Sequence, residues 1–262
     1  MISGIFFRGN KLLCLLIAMM AASAALAQKT NTFQVADSSV NKDSTKYISF
    51  LIVPFNPAMY FSDADADIAD VSKIEPGKVR DKFNGSLEAN IADKLENYYD
   101  VKRLSKQTDA ADDIDLIFGS ISYSPEEKKA EKEPAKDKLQ NLKKKMQKEG
   151  EKSEDKETYM NIGFADQRLT NFLADKYGVQ YLVFINQFEI KTDYENCIDL
   201  QLRKYYREIK VHYTVVDRSG SKVSGDVLTI PYHNNENNVE TIVKDNFGKV
   251  SNEIFSRLYL RK

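Results

Sequence analysis

The sequence predicts an α/β (α+β) fold in which three helices pack on a mixed sheet of four to five strands, interrupted by one charged insertion. Apolar residues recur at helical spacing in three segments, and short runs rich in β-branched and aromatic residues lie between them. A strand–helix–strand order early in the chain favours parallel pairing, whereas a hairpin pattern near its end favours antiparallel pairing. The expected sheet is therefore mixed.

Residues 1–27 have the pattern of a secretory signal peptide. Arg8 and Lys11 accompany the apolar run Leu12–Met20, and Ala25–Ala27 has the small-x-small form of a cleavage site. We expect cleavage at this site, and therefore a periplasmic or secreted protein without stable membrane insertion.

The remaining composition narrows the function classes. Residues 28–45 are polar and are expected to form a flexible tail. Cys14 lies inside the apolar run and not at the cleavage point, so a lipid anchor is not expected, and Cys197 alone cannot form an intramolecular disulfide. The net charge of −1 argues against general nucleic-acid binding.

One α/β domain is expected from residues 46–124 and 158–262 together. Tyr47–Phe55 is predicted to be a buried strand and Asn56–Glu75 a polar loop. Pro76 then begins a long helix, because the missing N–H of proline has no partner in the first helical turn. The apolar stripe of this helix comprises Val79, Phe83, Leu87, Ile91, Leu95 and Tyr98.

Two further strands are predicted before the insertion, at Tyr99–Leu104 and Ile114–Tyr123. The composition then changes abruptly, and residues 125–157 are dominated by Lys and Glu. Their few large apolar residues are too few to form a core. We expect this insertion to be disordered or loosely helical.

A second helix and three strands follow the insertion. The helix stripe comprises Ala165, Leu169, Phe172, Leu173 and Tyr177, and Gly178 is placed as a left-handed C-cap. Strands are predicted at Val179–Ile190, Ile198–Asp217 and Val223–Tyr232, the last two joined by a turn at Arg218–Ser221. One face of the middle strand carries Ile209, Val211, Tyr213 and Val215. Asn237 or Asn238 is expected to cap a last helix whose stripe ends at Leu258.

This element order resembles a known envelope domain. A strand ending in Val53-Pro54-Phe55 leads into a long amphipathic helix, and Leu169–Ile185 has the order helix, glycine cap and strand. The pattern is similar to the periplasmic α/β domain shared by the curli secretion channel, the lipoprotein activators of penicillin-binding proteins and the N-terminal domain of the Tol-system propeller protein. The resemblance implies a non-enzymatic domain that binds protein partners, with no catalytic residue and no cofactor. The charged insertion and the missing lipidation motif depart from that pattern.

Catalytic signals in the sequence are few. His212 is predicted on a strand, on the face opposite to that of Ile209, and His233 is predicted at a strand end. Neither has the spacing of metal ligands, and both are expected to be surface or hydrogen-bonded histidines. Cys197 lies at a predicted strand start. No Gly-x-Ser-x-Gly elbow occurs, and the serines near the hairpin turn are Ser219, Ser221 and Ser224. A hydrolase using Cys197 or His212 is the alternative hypothesis.

An acidic cluster is the one metal candidate. Asp63, Asp65 and Asp67 alternate in the predicted loop, with Asp70 nearby, and carboxylates so placed can converge on Ca²⁺. The EF-hand template fails, because Ile68 and Ile74 occupy the positions of its glycine and final glutamate. We expect no metal or cofactor, and keep a weak Ca²⁺ or small-ligand module as a further alternative.

Aromatic residues supply the binding hypothesis. Six of them gather around the long predicted strand and the connection after it: Tyr181, Phe184, Phe188, Tyr194, Tyr205 and Tyr206. Most are expected in the core, and a minority are expected to line a partner groove. A long strand at a sheet edge would also allow strand addition. The leading prediction is an exported, non-enzymatic envelope protein that acts as an interaction or assembly domain for unidentified envelope proteins, with an oligomer as one outcome.

Overall fold

A computed structural model describes residues 48–128, 158–195, 199, 201 and 204–258 of the 262-residue chain. In these ranges, five helices pack with a six-stranded and a two-stranded sheet, and the predicted α+β class is confirmed. The counts of three helices and four to five strands were too low. The predicted signal peptide, the tail, Cys197 and most of the insertion lie outside the described residues, so those predictions stay predictions.

The large sheet is mixed, as expected. Its strands are β1 (Ser49–Val53), β2 (Tyr60–Ser62), β3 (Asp100–Arg103), β6 (Tyr181–Asp193), β7 (Tyr206–Asp217) and β8 (Lys222–His233). Their order in the sheet is β3-β1-β6-β7-β8, with β2 also pairing with β6. β1 is parallel to β3 and β6, β2 is parallel to β6, and β6, β7 and β8 are antiparallel neighbours. The second sheet is an antiparallel pair of β4 (Ile121–Glu127) and β5 (Thr158–Phe164).

The helices are α1 (Asp65–Ser72), α2 (Pro76–Glu96), α3 (Ala110–Ser120), α4 (Arg168–Tyr177) and α5. α5 consists of Val239–Ile242, a π-helical turn at Val243–Phe247, and Gly248–Arg257. The side chain of Asn238 accepts hydrogen bonds from the first N–H groups of α5, which confirms one of the two predicted caps. Gly178 ends α4 with φ of 63°, in the left-handed conformation predicted for it.

One face of the large sheet, the helix face, packs against α2 and α5. The predicted stripe of α2 is buried from Val79 to Leu95, and only Tyr98 lies partly outside at 41% exposure. The rings of Phe83 and Phe247 lie 5.5 and 5.9 Å from that of Phe188 on β6. The predicted inward face of β7 is fully buried: Ile209, Val211, Tyr213 and Val215.

The opposite face, here called the hairpin face, packs against α3, α4 and the β4–β5 hairpin. Its apolar core draws on every one of these elements: Leu51, Val53, Leu104, Ile117, Ile162, Leu169, Leu173, Ala174, Tyr177, Val179, Leu182, Phe184 and Val216. Of the predicted α4 stripe, Phe172 is 48% exposed and Ala165 precedes the helix. The sheet therefore lies between two layers.

The prediction of a polar loop at Asn56–Glu75 was wrong. This segment contains a short 3-10 helix, β2 and α1. The ring of Tyr60 stacks on those of Phe55 and Phe188 at 5.9 and 5.7 Å, and Ile68 of α1 is fully buried. These short segments are held in place by burial against distant residues, which the polar composition of the segment does not indicate.

The predicted strand at Ile114–Tyr123 was wrong in its first half, where the chain forms α3. A short apolar run does not distinguish a buried strand from a helix. In α3, Ile114, Ile117 and Phe118 share one face, since positions three and four apart align on a helix, and this face packs into the hairpin-face core. β4 then continues through Glu127, past the predicted start of the insertion, and β7 begins at Tyr206 rather than Ile198.

Candidate functional site

Three aromatic side chains are exposed at the end of the sheet where β6 finishes and β7 begins. Phe61 of β2 is 48% exposed, Tyr194 is 63% exposed and Tyr206 is 43% exposed. We call these three residues the aromatic surface. Large exposed aromatic residues that are gathered together are typical of interaction sites, whereas single ones are ordinary on any protein.

Phe61 and Tyr194 of the aromatic surface line a surface groove of about 630 Å³ between the ends of β2 and β6. Its walls are Tyr60, Phe61, Ser62, Asp63, Ile190, Lys191, Thr192 and Tyr194. Tyr205 meets Tyr194 edge-on at 5.3 Å, and the ring of His233 lies 4.9 Å from that of Tyr206. Each exposed tyrosine therefore has a neighbouring ring that limits its motion.

A network of polar groups holds the base of the groove. Both carboxylate oxygens of Asp63 accept hydrogen bonds from Thr192, at 2.8 Å from its N–H and 2.9 Å from its hydroxyl. Arg207 is 2% exposed and donates to Thr192, to Asn237 and to Asp67, the last at 2.6 Å. Because one buried guanidinium joins β6, β7, α1 and the segment before α5, the groove rests on a rigid base.

The aspartates predicted as a weak Ca²⁺ site each have a separate protein partner. Asp63 bonds Thr192, Asp67 bonds Arg207, and Asp65 accepts a 2.5 Å hydrogen bond from the hydroxyl of Tyr60. Burial and this bond raise the pKa of Tyr60. Asp65 and Asp67 belong to helix α1, not to a loop. Within the described ranges, no three His, Cys, Asp or Glu side chains are grouped so that they could hold a metal ion.

His212 is buried at 6% exposure, beneath β5. Its Nδ1 accepts a hydrogen bond of 2.9 Å from the N–H of Met160, and its Nε2 lies 3.3 Å from Oε1 of Glu189. The geometry at Nε2 falls short of a regular hydrogen bond, so this second contact is mainly electrostatic. His212 is thus a hydrogen-bonded histidine, one of the two outcomes that the sequence predicted.

Glu189 carries the charge that faces His212. It is 7% exposed, accepts a short hydrogen bond from Gln187 and pairs with Lys191 at 2.9 Å. The contact with His212 and the neighbouring Lys191 lower the pKa of Glu189 to about 2, against the opposing effect of burial. The carboxylate is therefore ionised at neutral pH.

The other predicted catalytic candidates occupy ordinary positions. His233 ends β8, where its ring lies beside Tyr206. Ser219 and Ser221 are in the β7–β8 turn, where both backbone N–H groups donate to Asp217. Cys197 lies outside the described residues.

The long strand β6 lies inside the sheet, between β1 and β2 on one side and β7 on the other, so the strand addition considered for a long edge strand does not apply to it. β3 and β8 are at the two ends of the strand order. On β8, the N–H of Val227 donates to the side chain of Asp226 at 2.7 Å, and Pro231 has no N–H. Edge strands with proline and engaged donors resist pairing with another chain.

No protein-family model matches the chain, and no curated protein matches it either. Among solved structures, a PelC variant dodecamer from Paraburkholderia phytofirmans is similar with a TM-score of 0.33 and 10% identity, covering 83% of this chain and 91% of that one. A minor lipoprotein from Acinetobacter baumannii has a TM-score of 0.24 and 15% identity, covering 36% and 81% of the two chains. Scores this low indicate a loose relation between folds and carry no functional argument. In the part of the chain that the structure describes, no helix is long and apolar enough to cross a bilayer.

Sequence reasoning named Tyr194, Tyr205 and Tyr206 as candidates but missed Phe61 and Arg207. Phe61 lies in the segment predicted as a loop, and its one local signal is the pair of adjacent aromatic residues Tyr60 and Phe61. Arg207 lies near the start of β7, where the sequence does not distinguish it from a surface arginine, and only the structure shows it buried with three partners.

Proposed function

We propose that this chain is an exported, non-enzymatic envelope protein whose α/β domain binds other proteins through the aromatic surface. The supporting observation is the exposure of Phe61 and Tyr194 in the walls of one groove with a rigid base, with Tyr206 exposed at the start of β7. Aromatic residues on a preorganised surface lose little conformational freedom when they bind, which favours association. The export half of the proposal rests on the signal pattern of residues 1–27.

Two further features favour binding over catalysis. Both ring nitrogens of His212 face protein groups, namely Met160 and Glu189, and neither faces a serine or cysteine among the described residues. The three aspartates of the alternative Ca²⁺ hypothesis are engaged with Thr192, Tyr60 and Arg207.

The binding half is tested by crosslinking in intact cells. A photoreactive amino acid in place of Tyr194 should crosslink a protein partner in the full chain. We expect Phe61→Ser to abolish the crosslink and Phe172→Ser to leave it unchanged, since Phe61 and Phe172 are both 48% exposed but only Phe61 borders the groove. A crosslink that survives Phe61→Ser, or the absence of any crosslink, would contradict the proposal.

The export half is tested by N-terminal sequencing of the protein from the envelope fraction. We expect the mature chain to begin at Gln28. A chain that keeps Met1 and stays in the cytoplasmic fraction would refute export, whatever the crosslinking shows.

A further inference from the structure

The backbone of Met160, on β5, bonds to side chains of the large sheet. Met160 of β5 lies opposite Pro125 of β4, and both of its backbone polar groups point away from β4 towards the large sheet. The N–H of Met160 donates to Nδ1 of His212 at 2.9 Å, and its carbonyl accepts from Nδ2 of Asn186 at 2.7 Å. Side chains of the large sheet thus take the place of a neighbouring strand at this point.

A third hydrogen bond between β5 and the large sheet continues the contact. The hydroxyl of Thr214 donates to Oδ1 of Asn161 at 2.8 Å and accepts from Nδ2 of Asn186 at 2.8 Å. We call Asn186, His212 and Thr214, with their partners on β5, the polar latch. Asn186, His212 and Thr214 are 1, 6 and 1% exposed, so water does not compete freely for these bonds.

The latch determines where the proton of His212 lies. Because Nδ1 accepts the N–H of Met160, the neutral ring carries its proton on Nε2, which faces Glu189. A metal bound at Nε2 would require the opposite arrangement, with a proton on Nδ1 donating to an acceptor. The observed arrangement, with Nδ1 as a hydrogen-bond acceptor, is therefore not that of a metal-binding histidine, and the bond depends on Nδ1 remaining unprotonated.

We propose that the polar latch is a pH-sensitive device that loosens β5 from the large sheet when His212 takes up a proton. The proton comes from solvent and binds Nδ1, which then becomes a second donor facing the N–H of Met160. The hydrogen bond is lost and the peptide N–H is left buried without an acceptor, while Glu189 balances the new charge. Histidine is the side chain whose charge ordinarily changes between roughly pH 5 and pH 8.

The charged and titratable groups around the ring set the field in which this occurs. On β6, Glu189 faces Nε2 and is paired with Lys191; on β7, Lys210 pairs with Glu208; and residue 227 of β8, opposite the ring, is a valine. Around β5, Tyr159 accepts from Lys222, and Asn161 donates to Glu126. Oε1 of Glu189 lies 3.3 Å from Nε2 of the ring.

Amide hydrogen exchange of the full chain, followed by NMR, tests the proposal. After correction for the intrinsic pH dependence of exchange, the protection of the Met160 amide should fall about tenfold between about pH 7.5 and pH 5. The variant His212→Asn retains an acceptor near the position of Nδ1 but cannot titrate. We expect its Met160 protection to be independent of pH.

The chain offers a matched control, because His233 is the other of its two histidines and lies at a strand end. The variant His233→Asn should keep the wild-type pH dependence. The proposal is overturned if wild-type protection of Met160 does not change with pH, or if it falls equally in His212→Asn. If His212→Asn does not fold, the ¹⁵N chemical shifts of the two His212 ring nitrogens in the wild type test the proposal instead. These shifts must change over the same pH range as the protection of the Met160 amide.

Discussion

The helix face and the hairpin face of the large sheet are held by different chemistry. On the helix face, Phe83 stacks on Phe188 and Phe247 meets it edge-on, in a fully buried aromatic cluster. On the hairpin face, apolar residues pack beneath α3 and α4, but β5 is joined to the sheet by the polar latch of Asn186, His212 and Thr214.

The difference follows from backbone hydrogen bonding. A helix satisfies its interior N–H and C=O groups within itself, so α2 and α5 can dock with apolar side chains alone. A hairpin leaves one edge of each strand unpaired, and a buried edge needs partners from elsewhere. Met160 obtains them from His212 and Asn186. Four predictions test this contrast.

The largest effect is expected at the aromatic cluster of the helix face. Phe188→Ala removes a fully buried ring and should lower the free energy of unfolding by about 3–5 kcal/mol. Urea denaturation of the two proteins measures it. The exposed Phe61→Ala is the control and should change stability by less than about 0.5 kcal/mol. Similar losses for the two variants would show that the cluster does not stabilise this face.

The next effect belongs to Glu189 on the hairpin face. Its pKa is lowered to about 2 in the folded protein, so its contribution is complete above its ordinary pKa of 4.5 and is lost as pH falls through 4.5 towards 2. The full contribution is roughly 3 kcal/mol, and Glu189→Gln removes it. We expect the difference in the free energy of unfolding between the wild type and Glu189→Gln, measured by denaturation at a series of pH values, to become smaller as the pH falls from 4.5 towards 2. A constant difference would refute the assignment, and the exposed Glu240→Gln serves as the control.

A smaller effect is expected when the latch loses its amide. Asn186→Ala leaves the carbonyl of Met160 buried without its donor and should cost about 1–3 kcal/mol. Hydrogen exchange should accelerate in β5 and remain unchanged in α2. Asn97→Ala, an exposed asparagine that bonds only within its own helix end, is the control. Equal acceleration in α2 would mean global destabilisation and no local latch.

The smallest effect is expected for the polar contact on the helix face. Lys82 of α2 pairs with Glu240 of α5 at 3.0 Å, with side chains 53 and 69% exposed. A double-mutant cycle with alanine at both positions should give a coupling below about 0.5 kcal/mol that declines with salt. A coupling free energy larger than the stability lost in Asn186→Ala would reverse the contrast between the two faces.

The candidate site was predictable in part. Tyr194, Tyr205 and Tyr206 are among the six aromatic residues of which a minority was expected to line a partner groove, because aromatic residues anchor interfaces. Phe61 was not among them, since it lies in the segment predicted as a loop, where Tyr60 packs against the distant residues Phe55 and Phe188. Local pattern identifies residues with binding chemistry, and the assembled fold selects which of them stay exposed.

The sequence by itself determined the elements whose signals are local and periodic. The stripe from Val79 to Leu95, the left-handed Gly178 and the buried face of β7 follow from spacing and backbone sterics, and all three are present. Only the tertiary structure decided that Arg207 joins four elements and that Nδ1 of His212 accepts a hydrogen bond from the N–H of Met160. These are contacts between residues far apart in the chain, and no local pattern specifies which buried polar groups will meet.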